Sequence, residues 1–435
     1  MVGIGVLLPA CIGLMFHVKH QTRFFCHTPA TGPCENRAPP PMISLQRYAA
    51  LFAEPDLRAA ILASLLGRLP IGISGLALLL LVQAREASFT DAGLVTSAYL
   101  AGLAGIAPLV GRLIDRLGPR PVLLVAGFTY PLALLTLIAA VNRGAPLSLV
   151  LLLSFLAGAT LPQITTCMRT LYRRRLADDA LLVAALSFDS VLIETVFILG
   201  PMLVALVVAT ATPDLAVLLG AVCAAAGALF ITRTPALTGW SVERSQHRSL
   251  LGVLHDAAFR RLLAILLCYA AVFGFVDIGV ATYAYEIHQP ALAGVILGVM
   301  SIGSAAGGLA YGSRAWHVPL TRQFAWSLII MGLSIAPLAF VAHPLLLALL
   351  AMVSGVTMAP PLIIQSTIVA KTMPTPQMAE AFTWVTTAML CGVGLGFACG
   401  GVVAEAQGAT AVFLLATAIT VVVGVLARAM LQAPA

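Results

Sequence analysis

Residues 111–121 read GRLIDRLGPRP, and this stretch decides the fold. It sits between two apolar runs, about 92–111 and 121–141. Gly111 allows close helix approach at the end of the first run. Asp115 follows at a helix end. Arg116 and Arg120 flank a tight turn at Gly118-Pro119. An acid in that place can face the positive N-terminal end of another helix, and the arginines can pair with acids or lipid headgroups. Such a group is suited to act as a latch that opens and closes.

Outward from this loop the chain is oily throughout. Of 435 residues 60% are hydrophobic and 9% are charged, with a mean hydropathy of +1.01. A soluble domain carries roughly 45–50% apolar and about 25% charged residues. So few charges cannot cover a water-facing surface, which excludes a soluble monomer. Twelve apolar segments follow one another, from about 59–82 to about 409–428. Each is long enough for a helix across roughly 30 Å of hydrocarbon. Helices are required there, because lipid cannot satisfy backbone polar groups. The expected fold class is an all-α membrane protein with twelve transmembrane helices.

The basic residues set an orientation. The net charge is +7, and only Lys19 and Lys371 are lysine. With a cytoplasmic N-terminus, eighteen basic residues from Arg47 onward fall inside, and Arg85 and Arg143 alone fall outside. This is a strong positive-inside bias, and it places both termini in the cytoplasm. The arginines lie in short clusters between apolar runs, so the basic balance reads as topology and not as a nucleic-acid surface. Of eight cysteines, the last five lie in or beside apolar runs with no metal or disulfide spacing. They read as small packing residues.

The longest internal loop, about 233–261, divides the chain six plus six. Expected domains are an N-terminal bundle at 42–232, a cytoplasmic linker at 233–261 and a C-terminal bundle at 262–435. Residues 1–41 differ in composition and end in Pro39-Pro40-Pro41. They read as a disordered extension, or as a reading frame opened too early. The halves repeat weakly. An offset of 201 lays Gly102 on Gly303, and an offset of 197 lays Gly158 on Gly355, each of the latter pair beside prolines.

The string at 111–121 resembles the signature in the second-to-third-helix loop of the major facilitator superfamily, Gly-x-Leu-x-Asp-Arg-x-Gly-x-Arg. The six-plus-six layout is similar to the same family over about 42–430. The resemblance implies two pseudo-symmetric six-helix bundles rocking about a midplane cavity. It also implies that Asp115 faces the start of helix eleven, near Gln377 to Glu380. The segment ETVFILGP (194–201) is similar to the Gly200-Pro201 part of a helix-five motif of family exporters. Leu203 and Val204 stand where further glycines are usual. The second-half loop YGSRAWHVP (311–319) keeps Gly312 and Arg314 but has no acid.

Polar groups inside apolar segments are costly, so they are functional candidates. Glu194 lies near the middle of span five, where a carboxyl can load and release a proton or lock two helices as an ion pair. Arg68 lies about ten residues into span one, roughly 15 Å deep at 1.5 Å per residue. It can pair with Glu194, or bind an anionic substrate group. Asp189 points roughly 140° away from Glu194 on the same helix, so the two are not expected to share one site. Asp277 is the only deep acid of the second half. Gln163 and Gln365 follow prolines in spans four and ten, and helix breaks at matching places of two halves point to a midplane site. Given the resemblance, Arg68, Gln163, Asp277 and Gln365 are cavity candidates together, with Glu194, Asp277 and Asp189 as candidates for proton coupling. Arg169 and Arg173 to Arg175 read as topology signals.

No phosphate-cradling glycine loop and no His/Cys cluster of metal spacing occurs, so the sequence points to no catalytic residue, metal or cofactor. The expected function is proton-coupled export of a small, fairly apolar compound from a bacterial inner membrane, by a monomer whose partners are substrate, protons and the bilayer. Two alternatives are a proton-coupled importer of a carboxylate-bearing metabolite and a non-transporting membrane sensor or scaffold.

Overall fold

The computed structural model describes residues 51–176, 178–238, 252–314, 316–374 and 377–432. Residues 1–41 and the middle of the loop at 233–261 lie outside them. Twelve long helices, two of them broken, account for nearly all of the described residues. They are α1 (Pro55–Glu86), α2 (Phe89–Leu117), α3 (Pro119–Asn142), α4 (Leu147–Thr160, then Ile164–Arg175), α5 (Asp179–Thr210) and α6 (Pro213–Arg233). The second six are α7 (Ala257–Glu286), α8 (Leu292–Gly312), α9 (Leu320–Ile335), α10 (Pro344–Val356, then Ala359–Thr372), α11 (378–407) and α12 (409–432).

Local chemistry sets these ends. Pro55, Pro119, Pro213 and Pro344 each sit at a first helical position, where the missing N–H costs nothing. Ser88 and Asp256 cap α2 and α7 through their side chains. Gly118 alone joins α2 to α3, with a φ of 82° that suits glycine. Gly408 does the same between α11 and α12 with a φ of 75°, and the Glu286 carboxylate accepts from the Ala409 N–H at 3.0 Å.

α4 breaks at residues 161–163 around Pro162, and α10 breaks at Thr357 and Met358, just before Pro360 and Pro361. Proline cannot donate the intrahelical bond and crowds the preceding turn. The two breaks stand in corresponding places of the two halves.

Glycine contacts show the duplication directly. A Cβ at Gly102 would strike the Phe155 carbonyl oxygen, and one at Gly158 would strike that of Tyr99. In the second half Gly303 meets the Met352 carbonyl, and Gly355 meets that of Met300. The α2–α4 contact is therefore repeated by α8 and α10, at the offsets of 201 and 197 seen in the sequence. Small residues at these crossings let backbones touch where lipid gives no hydrophobic drive. The halves also meet by related crossings. Gly93 of α2 lies on the Phe397 carbonyl of α11, and Gly294 of α8 lies on the Pro201 carbonyl of α5.

Large apolar side chains such as Phe128 and Phe340 point outward and are more than 70% exposed. In a membrane chain that surface is the lipid face. Eleven helical stretches are long and apolar enough to span a bilayer, and the last of these, Glu380–Met430, contains the turn at Gly408 and so provides two.

Candidate functional site

The deepest charged cluster lies in the first half, among α1, α4 and α5. Arg68 and Asp189 are both fully buried. Nη2 of Arg68 donates to one Asp189 carboxylate oxygen at 2.5 Å, and Nε of Arg169 donates to the other at 2.9 Å. Arg169 is half-exposed. Tyr172, one turn beyond Arg169, lies within electrostatic reach of Arg68 and Asp189. The Tyr172 hydroxyl and two Arg68 nitrogens, Nε and Nη1, have no hydrogen-bond partner among the described residues. Two cations share one carboxylate, so the cluster carries a net charge of +1.

The partner of Arg68 differs from the sequence expectation. Asp189 takes the role foreseen for Glu194. Their offset of five residues puts Asp189 on the α1 and α4 side of α5, and Glu194 on another side. Arg169, read from sequence as a topology signal, belongs to the same cluster.

Glu194 is half-buried and has no hydrogen bond or ion pair among the described residues. Its place follows from its neighbours on α5. The Ile198 carbonyl and the Met202 side chain lie against Gly298 of α8. Residues four apart share a helix face, so Glu194 lies one turn before the α5–α8 crossing, on the seam between the halves. Gly200 packs on Gly72 of α1, and the Pro201 carbonyl faces Gly294. The Gly-Pro pair of the helix-five string thus serves the crossing of α1, α5 and α8.

Asp277 of α7 is also half-buried with no such partner among the described residues. Its neighbour Ile278 reaches Gly93 of α2, and Gly274 lies on α11. Asp277 is therefore near the other crossing of the halves, formed by α2, α7 and α11. Gln163 begins the second part of α4 at the break. Gln365 is buried in α10. Its amide nitrogen lies 3.8 Å from the Met389 sulfur, and its Oε1 has no partner among the described residues. No hydrogen bond or ion pair joins Arg68, Gln163, Asp277 and Gln365 to one another among the described residues.

At the arginine-rich end, Arg116 and Arg120 are exposed, and Gly118 makes the turn. The side chain of Asp115 lies outside the described set. Gly111 has no atom within 4 Å of an added Cβ, so the close approach expected there is not made in this conformation. The opposite end is clasped. The Glu405 carboxylate of α11 accepts from the Ser88 hydroxyl and the Thr90 N–H of α2, both at 2.8 Å. Gly401 lies on the Phe89 carbonyl, and Phe89 meets Tyr285 of α7 edge-on at 5.6 Å. Sequence reading missed this clasp, although the Ser88-x-x-Asp91 start of α2 marks the exposed helix N-terminus that Glu405 fills.

The profile of the Major Facilitator Superfamily matches residues 60–315 and 262–435. The chain belongs to the Major Facilitator Superfamily. No curated protein matches it. Among solved structures it is similar to a point mutant of the nucleoside transporter NupG, at 16% identity and a TM-score of 0.71 over 86% of this chain and 100% of that one. It is also similar to a bacterial homologue of the iron transporter ferroportin in an inward-facing state, at 14% identity and 0.68 over 87% and 99%. The human organic anion transporter MFSD10 gives 17% and 0.60 over 87% and 100%. As a major facilitator protein the chain is a multi-pass membrane transporter of a small molecule, and not an enzyme.

Proposed function

We propose that this transporter is a proton-coupled exporter of a small, fairly apolar compound. It works as a monomer in a bacterial inner membrane with both termini in the cytoplasm. The rocking units are residues 42–232 and 262–435, joined by the linker at 233–261. Eighteen basic residues on one side support that orientation. The clasped end with Glu405 is then the outer one, and the end with the 111–121 loop opens to the cytoplasm. Closing the inner end would bring Asp115 to the start of α11, near Gln377 to Glu380, with Gly111 then allowing close approach.

One observation carries the coupling. Asp189 is held by two arginines, whereas Glu194 and Asp277 have no ion-pair partner among the described residues and lie beside the two crossings of the halves. A charged carboxylate enclosed in an apolar seam costs several kcal/mol. A protonated one costs far less. Proton binding at Glu194 and Asp277 therefore favours closure of the seam, and proton loss favours its opening. Arg68, wholly enclosed on Asp189, is not presented to a substrate carboxylate, which argues against the importer alternative.

The test is transport in proteoliposomes with an imposed pH gradient and a panel of lipophilic compounds. A substrate should move against the proton flow. Glu194→Gln and Asp277→Asn should each cut gradient-driven flux at least about tenfold, the loss expected for one proton-transfer group, while substrate binding persists. Flux unchanged in both variants would refute coupling through these acids. Substrate carried in the same direction as the protons would refute export.

A further inference from the structure

The second-half loop at 311–319, which contains no acid, borders an apolar cavity. It is a slot of about 490 Å³ between α8, α9 and α10, at the arginine-rich end. That volume falls within the range of about 300–1,000 Å³ usual for ligand sites. Its walls are apolar, and two wall residues, Trp326 and Ile330, are among the exposed large hydrophobics. The slot therefore opens to the lipid face of the second half and not to the seam between the halves.

Its rim is built differently. Trp316 stacks on Tyr311 at 5.2 Å, and its indole N–H donates to the Tyr311 carbonyl at 3.1 Å. The Arg314 guanidinium lies 5.1 Å from the Trp316 ring centre. Arg314 is exposed, and its guanidinium has no hydrogen-bond or ion-pair partner among the described residues. A second guanidinium, that of Arg428, lies 5.8 Å from the ring centre of Trp326. A cation resting on an aromatic face keeps its N–H edge for an anion, and a guanidinium edge matches phosphate in two-point fashion. Tryptophans are at home at the level of lipid headgroups. The first-half loop carries its own acid, Asp115, but residues 311–319 contain none. An anion that pairs with Arg314 would therefore come from outside the loop.

We propose that this slot binds one anionic phospholipid, with its phosphate on Arg314 and an acyl chain between α8, α9 and α10. The proposal rests on the membrane-embedded family fold and needs no particular substrate or direction of transport. Its position gives the lipid a purpose. Val356, Thr357 and Pro360 line the slot and also form the break in α10. The Thr357 hydroxyl is within hydrogen-bond distance of the Ser334 hydroxyl at 2.8 Å and bonds the Ser354 carbonyl at 2.7 Å. An acyl chain there packs against the one interruption of α10 and limits its bending.

Native mass spectrometry of the full chain tests this, after delipidation and addition of phosphatidylglycerol or phosphatidylcholine. The wild type should keep one phosphatidylglycerol and hold phosphatidylcholine at least about fivefold more weakly, as one arginine near a headgroup allows. Arg314→Gln should reduce phosphatidylglycerol retention by about the same factor. Ile330→Trp, which fills the slot and leaves the charge, should reduce it too. Arg143→Gln, at the opposite end, should leave it unchanged. Equal retention of the two lipids overturns the proposal, as does wild-type retention in either slot variant. Failure of the transport experiment leaves these results standing, so the two readings fail separately.

Discussion

Asp189→Asn tests the buried cluster of the first half. The change removes the only carboxylate and takes the cluster from a net charge of +1 to +2. Arg68 is then fully enclosed beside a second cation, with no counter-charge. Breaking a buried pair from one side costs about 3–5 kcal/mol, mostly as the penalty on the stranded charge. At the lower figure the unfolded fraction rises more than about a hundredfold. The paired variant Arg68→Met with Asp189→Asn removes both enclosed charges and should recover most of that loss, because a buried ion pair contributes little against an apolar replacement of similar size. Arg169→Gln should cost under about 1 kcal/mol, because Arg169 is half-exposed and screened. Thermal unfolding in detergent can be read by a thiol-reactive dye as Cys167 and Cys223, both buried in α4 and α6, become accessible. The reasoning is refuted if Asp189→Asn unfolds with the wild type, or if the paired variant is no more stable than the single one.

Glu405→Gln should loosen the clasp and raise the population separated at that end by roughly fivefold or less, the limit for an exposed contact of about 1 kcal/mol. Spin labels at Glu86 and Ala406 would show it as a longer distance component, and an unchanged distribution would count against the clasp. Gly158→Ala and Gly355→Ala should lower the unfolding temperature by similar amounts, since each places a Cβ on a carbonyl of the paired helix. Widely unequal losses would contradict the repeated α2–α4 and α8–α10 contact. Gly118→Ala should cost about 1–3 kcal/mol, because a φ of 82° with extended ψ is essentially open to glycine alone, whereas Gly111→Ala, with open space at its Cβ, should be near neutral in thermal unfolding. A large loss at Gly111 would mean that the close approach is already made.

The architecture was legible because lipid imposes it. Long apolar runs can only be helices, Gly118-Pro119 can only be a turn, and Pro162 and Pro360-Pro361 announce the breaks in α4 and α10. The glycine offsets also survive, since Gly102, Gly158, Gly303 and Gly355 mark backbone contacts that no larger residue permits. Pairing within the site was harder to read. Arg68 has acids at 189 and 194 within reach on one helix, and only the rotation of α5 selects between them. Arg169 looks like its neighbours Arg173 to Arg175 in the sequence, yet it is directed to Asp189. The clasp joins residues over three hundred positions apart, and nothing local to Glu405 names Ser88.

The link between α2 and α3 has a mechanical consequence. A single residue, Gly118, connects them, whereas residues 313–319 connect α8 to α9. A tilt at the end of α2 must be handed to α3 almost at once, like motion through a short crank. The longer strap of the second half spreads the same tilt over several residues. Two units with matching helix contacts would then differ in stiffness, the first transmitting movement and the second cushioning it.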